Sequence, residues 1–282
     1  MIAPPLSTEA MLDAHGVEVV LGRGSGRARI LSGVDLTIRE GRVMGLVGES
    51  GSGKSTLAGA LVGTVPLAAG RVAIAGQDVH TAPSRRLRRT VQLIPQDPYS
   101  SLDPRRTIAQ TIAEAIDPLH PSVTRDEARI AHALAQVRLP ADAARRRPHE
   151  FSGGQRQRIA IARGLAVEPR LVIADEITSA LDVSVQADVL ALLARLREEL
   201  RLTMLFISHN LAVVRSVCDD VAVMRHGQIV ERGPVDEVFR RPRHPYTRLL
   251  LDSVPGAPGF TIDTSPLSAE SGVDTAGRTS ET

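Results

Sequence analysis

The chain has 282 residues, 43% of them hydrophobic and 23% charged, and its 34 basic against 32 acidic side chains leave a formal charge of +2. That length suffices for one large or two modest domains around a sizeable buried core. The near-balanced charge argues against a dedicated nucleic-acid binder, and a single cysteine, Cys218, excludes an internal disulfide framework, a multi-cysteine zinc site and a cysteine-held iron–sulfur cluster.

Residues 1–10, with Pro4, Pro5 and Ser7, are expected to be a disordered start. No basic segment followed by an apolar run opens the chain, so no signal peptide is expected and the protein is placed in the cytoplasm. Short strands are predicted at Val17–Leu21 and Val34–Ile38, separated by a Gly- and Arg-rich loop at Gly22–Arg29. The nearly unbroken apolar run from Val43 to Val47 predicts a strand buried on both faces. A glycine-rich turn follows, and Thr56–Val62 has the pattern of a helix. The longest stretch without an ionised side chain, Ser55–Gly70, is too short to span a bilayer and holds Pro66. Further strands are predicted at Arg71–Ile74 and Val91–Pro95.

Residues 100–150 change character. Thr107–Ile116 and Arg125–Val137 have helical spacing, and Thr124 with Glu127 fits a capping box for the second. The segment reads as a helical insertion. An apolar helix at Ile159–Leu165 leads back to strands at Leu171–Ala174, Met204–Ile207, Val221–Met224 and Gln228–Val230. Between the first two of these, Val185, Val189, Leu192, Leu193, Leu196 and Leu200 mark the apolar side of an amphipathic helix. Residues 256–282, rich in Gly, Ser, Thr, Pro and Ala, are expected to be a disordered tail. The alternation of strands and helices predicts an α/β core with a mostly parallel sheet.

Of the basic residues only Lys54 is a lysine. A mutational bias towards arginine codons explains the imbalance, and it makes the survivor informative. Lysine is a compact point charge and arginine a wide planar fork, so a tight backbone cradle around a phosphate would accept one and not the other. The surrounding residues supply such a cradle. Gly48-Glu49-Ser50-Gly51-Ser52-Gly53-Lys54-Ser55-Thr56 follows the predicted buried strand, opens a helix, and fits the pattern G-x-x-x-x-G-K-[ST]. Its glycines let backbone N–H groups turn inward, and the helix N-terminus adds a partial positive charge. Lys54 is placed to reach the outer phosphates and the Ser55 hydroxyl to ligate Mg²⁺. The bland alternative is a Gly/Ser turn with a solvated lysine.

The apolar run Leu171–Ala174 ends in Asp175 and Glu176. At the carboxyl end of a strand these acids fall in the ligand crevice of an open α/β sheet. Asp175 would hold Mg²⁺ through a water, and Glu176 would orient and deprotonate an attacking water. Acids at a strand end are as often merely solvated; the upstream phosphate loop favours the catalytic reading.

Between loop and acids lies Phe151-Ser152-Gly153-Gly154-Gln155-Arg156-Gln157-Arg158, which resembles the signature motif of ABC ATPases. Two glycines at the start of an apolar helix form a second anion site. The resemblance, over roughly residues 10–255, implies a P-loop ATPase core with a mostly parallel sheet, an N-terminal antiparallel β subdomain and a helical signature subdomain. It implies a nucleotide-binding domain at 11–255, with the helical part at about 97–160 and a C-terminal segment at about 233–255. It also implies that Ser152, Gly153, Gly154 and Gln155 of one subunit close over ATP and Mg²⁺ held in the phosphate loop of another. By the same resemblance Gln96 senses Mg²⁺ and the γ-phosphate side, Ser179-Ala180-Leu181-Asp182 communicates across the dimer, and His209 contacts the γ-phosphate. A lone histidine at a strand end would otherwise be read as structural.

Two further segments narrow the resemblance. Gln96-Asp97-Pro98-Tyr99-Ser100-Ser101-Leu102-Asp103-Pro104-Arg105 and His244-Pro245-Tyr246-Thr247-Arg248-Leu249-Leu250 are similar to segments of oligopeptide/dipeptide/nickel importer ATPases. The implied protein is an ATP-hydrolysing subunit of a peptide importer, peripheral to the cytoplasmic face of the membrane. Its implied partners are a second ABC ATPase subunit, two transmembrane permease subunits and, indirectly, an extracytoplasmic solute-binding protein, with no nucleic acid. The alternatives are an energising subunit for nickel or another small solute, a soluble ABC ATPase acting on ribosomes or DNA, and a regulatory subunit that binds ATP without turnover. The chain departs from the family in three places. No aromatic stands near Val20 and Leu21 to stack on adenine, Ile177 replaces a common proline, and Asn210 replaces a common aspartate.

Overall fold

Two sheets of different character divide the chain, whose computed structural model describes residues 10–22, 26–81, 84–179 and 181–253. The expected disordered tail and all of the expected disordered start except Ala10 lie outside the described residues. The first sheet is antiparallel. It orders β1 (Ala10–Leu21), β2 (Ala28–Arg39), β4 (Ala69–Ile74) and β5 (Gln77–Asp78) as β2-β1-β4-β5. The second holds β3 (Val43–Val47), β6 (Val91–Ile94), β7 (Leu171–Asp175), β8 (Thr203–Ile207), β9 (Asp220–Arg225) and β10 (Gln228–Pro234) in the order β10-β9-β3-β8-β7-β6. All its pairings are parallel except β9 with β10. The expected α/β core with a mostly parallel sheet is therefore present.

The central strands β3, β7 and β8 are buried along their whole length, as their unbroken apolar runs require. Their side chains alternate between two cores. Leu46, Leu171, Ile173, Leu205 and Ile207 meet α1 (Lys54–Leu61) and the antiparallel sheet. Val43, Val47, Val172, Ala174, Met204 and Phe206 face the other helices. The helical insertion comprises α3 (Pro98–Ser101), α4 (Ile108–Ile116), α5 (Glu127–Gln136), two short 3-10 turns and α6 (Gly153–Leu165), after α2 (Arg85–Thr90). The remaining helices are α7 (Val183–Leu200), α8 (Leu211–Val217), α9 (Val235–Arg240) and α10 (Pro245–Asp252).

Several local expectations need correction. Strands β1 and β2 run for 12 residues each, beyond the short strands read from Val17–Leu21 and Val34–Ile38, and they take in Ala10, Ala28 and Arg29. Pairing of β1 with both β2 and β4 carries the polar positions that broke the apolar pattern. The capping box expected from Thr124 and Glu127 does not form: α5 starts after Asp126, without a side-chain cap. Capping boxes form instead at Thr107 with Gln110 and at Ser152 with Gln155. On α7, Val189, Leu192, Leu193 and Leu196 are buried, but Leu200 is 40% exposed because the helix ends there in a left-handed Arg201.

Cys218 packs at the end of α8 beside Gly45 of β3, where an added Cβ would lie 3.2 Å from the sulfur. Burial, with a smaller contribution from Asp219, pushes the thiol pKa up. The native chain should therefore resist iodoacetamide at about pH 8.5, where a free thiol is half ionised. Mass spectrometry should find the adduct only after denaturant is added.

Candidate functional site

The site begins where β3 runs out. At Gly48 φ is +154°, and a Cβ there would lie 2.1 Å from the Met224 carbonyl oxygen of β9. At Gly53 φ is +106°, and a Cβ would meet Leu31 at 3.0 Å. These two glycines let the loop turn tightly against β9 and β2. The Gly227 N–H, in the turn from β9 to β10, donates to the Ser52 carbonyl at 2.9 Å and supports the loop from behind. Helix α1 then starts at Lys54, two residues earlier than expected, because left-handed Gly53 serves as its N-cap. Ser50 and Gly51 are exposed at the tip, and Thr56 lies half-buried in the first turn of α1.

Lys54 is 5% exposed. Its Nζ donates to the Gly48 and Glu49 carbonyl oxygens, both at 2.9 Å, and lies 3.8 Å from Glu176 Oε1. Burial holds its pKa below the usual lysine range, while Glu176 and Asp175 oppose that shift. The ammonium thus sits in a cage of backbone oxygens with a carboxylate on its open side.

Asp175, the last residue of β7, is buried. Burial raises its pKa; a hydrogen bond with the Ser55 side chain opposes the rise and neighbouring Glu176 adds to it. Asp175 Oδ1 and Ser52 Oγ are both buried without a hydrogen-bond partner. Such orphaned acceptors beside a helix N-terminus suit a ligand that brings charge and donors of its own. Among the described residues no group of three or more His, Cys, Asp or Glu could hold a metal. Ser55 and Asp175 nevertheless fit Mg²⁺, a hard cation that takes most of its oxygens from water and phosphate.

Glu176 has φ of +47°, a left-handed conformation that costs a non-glycine residue about 1–3 kcal/mol. Its N–H donates to the Ile207 carbonyl of β8 at 3.0 Å, and its own carbonyl accepts from the Ser179 N–H and hydroxyl at 3.1 and 2.9 Å. Gln96 Nε2, just past β6, donates to Glu176 Oε2 at 3.2 Å and to Ser179 Oγ at 3.2 Å. His209 Nδ1, just past β8, is 3.3 Å from the same Glu176 oxygen. Lys54, Gln96 and His209 therefore converge on the Glu176 carboxylate, and Ser179 bonds the Glu176 backbone carbonyl and the Gln96 amide beside it.

Ser152, Gly153, Gly154 and Gln155 lie elsewhere. Ser152 Oγ accepts from the Gln155 N–H at 3.4 Å, and Gln155 Oε1 accepts from the Ser152 N–H at 3.0 Å. At Gly154 a Cβ would fall 2.2 Å from Val185 Cγ1, so glycine lets α6 start close against α7. Asp182 caps α7 by accepting from the Val185 N–H at 3.0 Å and the Ser184 hydroxyl at 2.8 Å, and the first of these contacts leads in holding its carboxyl below the usual range. Helix α6 packs on α3, α4, α5, α7 and β6, whereas α1 packs on β1, β2 and β7. Among the described residues no hydrogen bond of the Ser152–Gln155 turn reaches the Lys54 group.

One contact had no signal in the sequence. The Tyr246 hydroxyl of α10 accepts from the Glu49 N–H at 3.0 Å, across 197 positions of chain.

The family model described as ABC transporter matches residues 31–179, and the one described as oligopeptide/dipeptide transporter, C-terminal region, matches residues 230–264. A putative peptide import ATP-binding protein of Brucella abortus (strain 2308) is 49% identical over 235 residues, which cover 81% of this chain and 70% of that protein. The di/tripeptide transport ATP-binding protein DppF of Pseudomonas aeruginosa (strain UCBPP-PA14) is 47% identical over 240 residues, 83% of this chain and 74% of that one. Among solved structures, the ATP-binding cassette MJ0796, dimeric in a post-hydrolysis state with ADP and Pi, aligns with a TM-score of 0.70 at 26% identity. The alignment covers 80% of this chain and 99% of that chain.

The raised pKa of Asp175 has a stability consequence. A carboxyl whose folded pKa exceeds its unfolded value stabilises the fold at low pH and loses that contribution as pH rises through the folded pKa. Asp175→Asn should therefore raise the unfolding free energy of the ligand-free chain at neutral pH. In urea titrations the gap between the two proteins should close as pH falls to about 4.

Proposed function

The chain belongs to the ABC transporter family of ATP-binding proteins, and we propose that it is the ATP-hydrolysing subunit of a peptide importer, bound peripherally at the cytoplasmic face of the membrane. It is an ATPase. One observation carries the proposal: Glu176 sits on the open side of the Lys54 cage, bracketed by Gln96 and His209. The match to the oligopeptide/dipeptide transporter C-terminal region, and relatives named for peptide import and di/tripeptide transport, support peptides as cargo.

In the proposed reaction the N–H groups of Gly51, Ser52, Gly53, Lys54 and Ser55 cradle the phosphates of ATP. Lys54 exchanges carbonyl partners for phosphate oxygens, which carry full charge and hold an ammonium more strongly. Glu176, freed on that side, takes a proton from the water that attacks the γ-phosphate in line. Gln96 and His209 keep the Glu176 carboxylate aimed, and His209 also contacts the γ-phosphate. Mg²⁺, held by Ser55, Gln96 and, through water, Asp175, would neutralise charge on the outer phosphates.

The Ser152–Gln155 turn is proposed to close over nucleotide held by a second ATPase subunit, with Asp182 at the seam. The dimeric state of the aligned cassette supports that arrangement. The nucleotide-binding domain is proposed to span 11–255, with a helical part at about 97–160 that carries motion to two permease subunits and a C-terminal segment at about 233–255. No helix among the described residues is long and apolar enough to cross a membrane, so attachment through permease subunits is proposed, with a solute-binding protein acting on their far side.

Glu176→Gln should keep ATP binding and lower hydrolysis by about 10²- to 10⁴-fold, the usual contribution of a general base. Size-exclusion chromatography with ATP should then recover a closed dimer; undiminished hydrolysis would remove Glu176 from this role. Cargo is tested by reconstituting the subunits that co-purify in mild detergent. Peptide with its binding protein should stimulate ATP hydrolysis, and stimulation by nickel alone would contradict the reading.

A further inference from the structure

We infer that α10 braces the phosphate loop, with Tyr246 as a positioning residue that sets nucleotide affinity; this rests on the proposed nucleotide site. The loop has two sides. The N–H groups of residues 51–55 are the proposed phosphate donors, whereas the Glu49 N–H is spent on the Tyr246 hydroxyl at 3.0 Å. Glu49 is the residue whose carbonyl accepts from Lys54 Nζ at 2.9 Å and from the Ser52 N–H at 3.2 Å. One residue therefore carries the brace on its amide and the cation on its carbonyl. Fixing it from outside limits how far the Lys54 cage can drift when phosphate arrives.

The brace is itself anchored. Tyr246 is 2% exposed, and the Arg225 guanidinium at the end of β9 lies 4.8 Å from its ring centroid. Glu231 of β10 accepts from the Arg243 and His244 N–H groups at 2.8 and 3.0 Å and so pins the start of α10. His244 Nδ1 accepts from the Tyr246 N–H at 3.1 Å and caps the helix, with Pro245 in its first turn. The phenol thus reaches the loop from a fixed platform on β9 and β10, the two strands farthest along the sheet from the Gln96 side. A hydrogen bond from such a platform acts on loop geometry and not on the reacting atoms, so it should appear in binding more than in turnover.

Tyr246→Phe in the full chain removes the acceptor and keeps the ring. Binding of a fluorescent ATP analogue with Mg²⁺ should weaken roughly 2- to 10-fold, the range expected for one neutral hydrogen bond. KM for ATP should rise in the assembled transporter while kcat changes little, and Tm should hold. Hydrogen exchange at the Glu49 amide, slow in the nucleotide-free wild type, should become fast in the variant. Glu231→Gln, which loosens the platform and leaves Tyr246 in place, should shift affinity in the same direction. Equal affinity in wild type and Tyr246→Phe, or an unprotected Glu49 amide in the wild type, would overturn the brace. A wild-type chain that binds no nucleotide would sink the functional reading instead, and amide exchange at Glu49 would still decide whether the brace exists.

Discussion

One buried ammonium organises this protein. Lys54 lies where the ends of β3, β7 and β8 meet the start of α1, and a charge in that position must be satisfied by its surroundings. The Gly48 and Glu49 carbonyls and the Glu176 carboxylate do so. The cage can form only because Gly48 lies against Met224 and Gly53 against Leu31 without side chains of their own. The demands of one cation thus reach back through the loop into β2 and β9. A guanidinium would need a wider opening and would present its donors in a plane. In a chain whose other 33 basic residues are arginine, that difference would account for the lysine.

The two acids beside that cation carry costs of their own. Asp175 is buried and its pKa is raised, and one of its oxygens has no partner. Glu176 is held in a left-handed conformation by its bond to β8 and by Ser179. A buried unsatisfied carboxylate and a strained backbone both cost stability, and both occur at the carboxyl ends of parallel strands. Such costs are concentrated where a ligand can relieve them. Ser179 bonds both the Glu176 backbone carbonyl and the Gln96 amide and so holds the strained residue in place.

Local chemistry was legible in the sequence and distant pairing was not. The loop from Gly48 to Thr56 could be read because its function depends on residues adjacent in the chain. β3, β7 and β8 could be read because burial on both faces leaves a continuous apolar run. β1 and β2 were read short, since their exposed positions break that run and only pairing with neighbours completes them. The short helices α2, α3, α8 and α9 have too few turns to show periodicity. At α5 the local capping signal lost to the tertiary setting, and the helix began after Asp126. Lys54 and Glu176 could be assigned to one site from the phosphate loop and the strand-end acids, whereas the arrival of Gln96 and His209 beside them was anticipated only as an implication of family resemblance. The contact between Glu49 and Tyr246 had no local signal at all.

The central claim is that a compact cation in a backbone cage receives the phosphates of ATP. Equilibrium binding of ATP to Lys54→Arg, beside the wild type and at equal Mg²⁺, tests it most directly. The claim predicts affinity weaker by more than about 10-fold, at least 1.4 kcal/mol of binding free energy, with the fold intact by circular dichroism. Equal affinity in the two proteins would show that the cage does not distinguish one cation from the other, and the account built on it would fail.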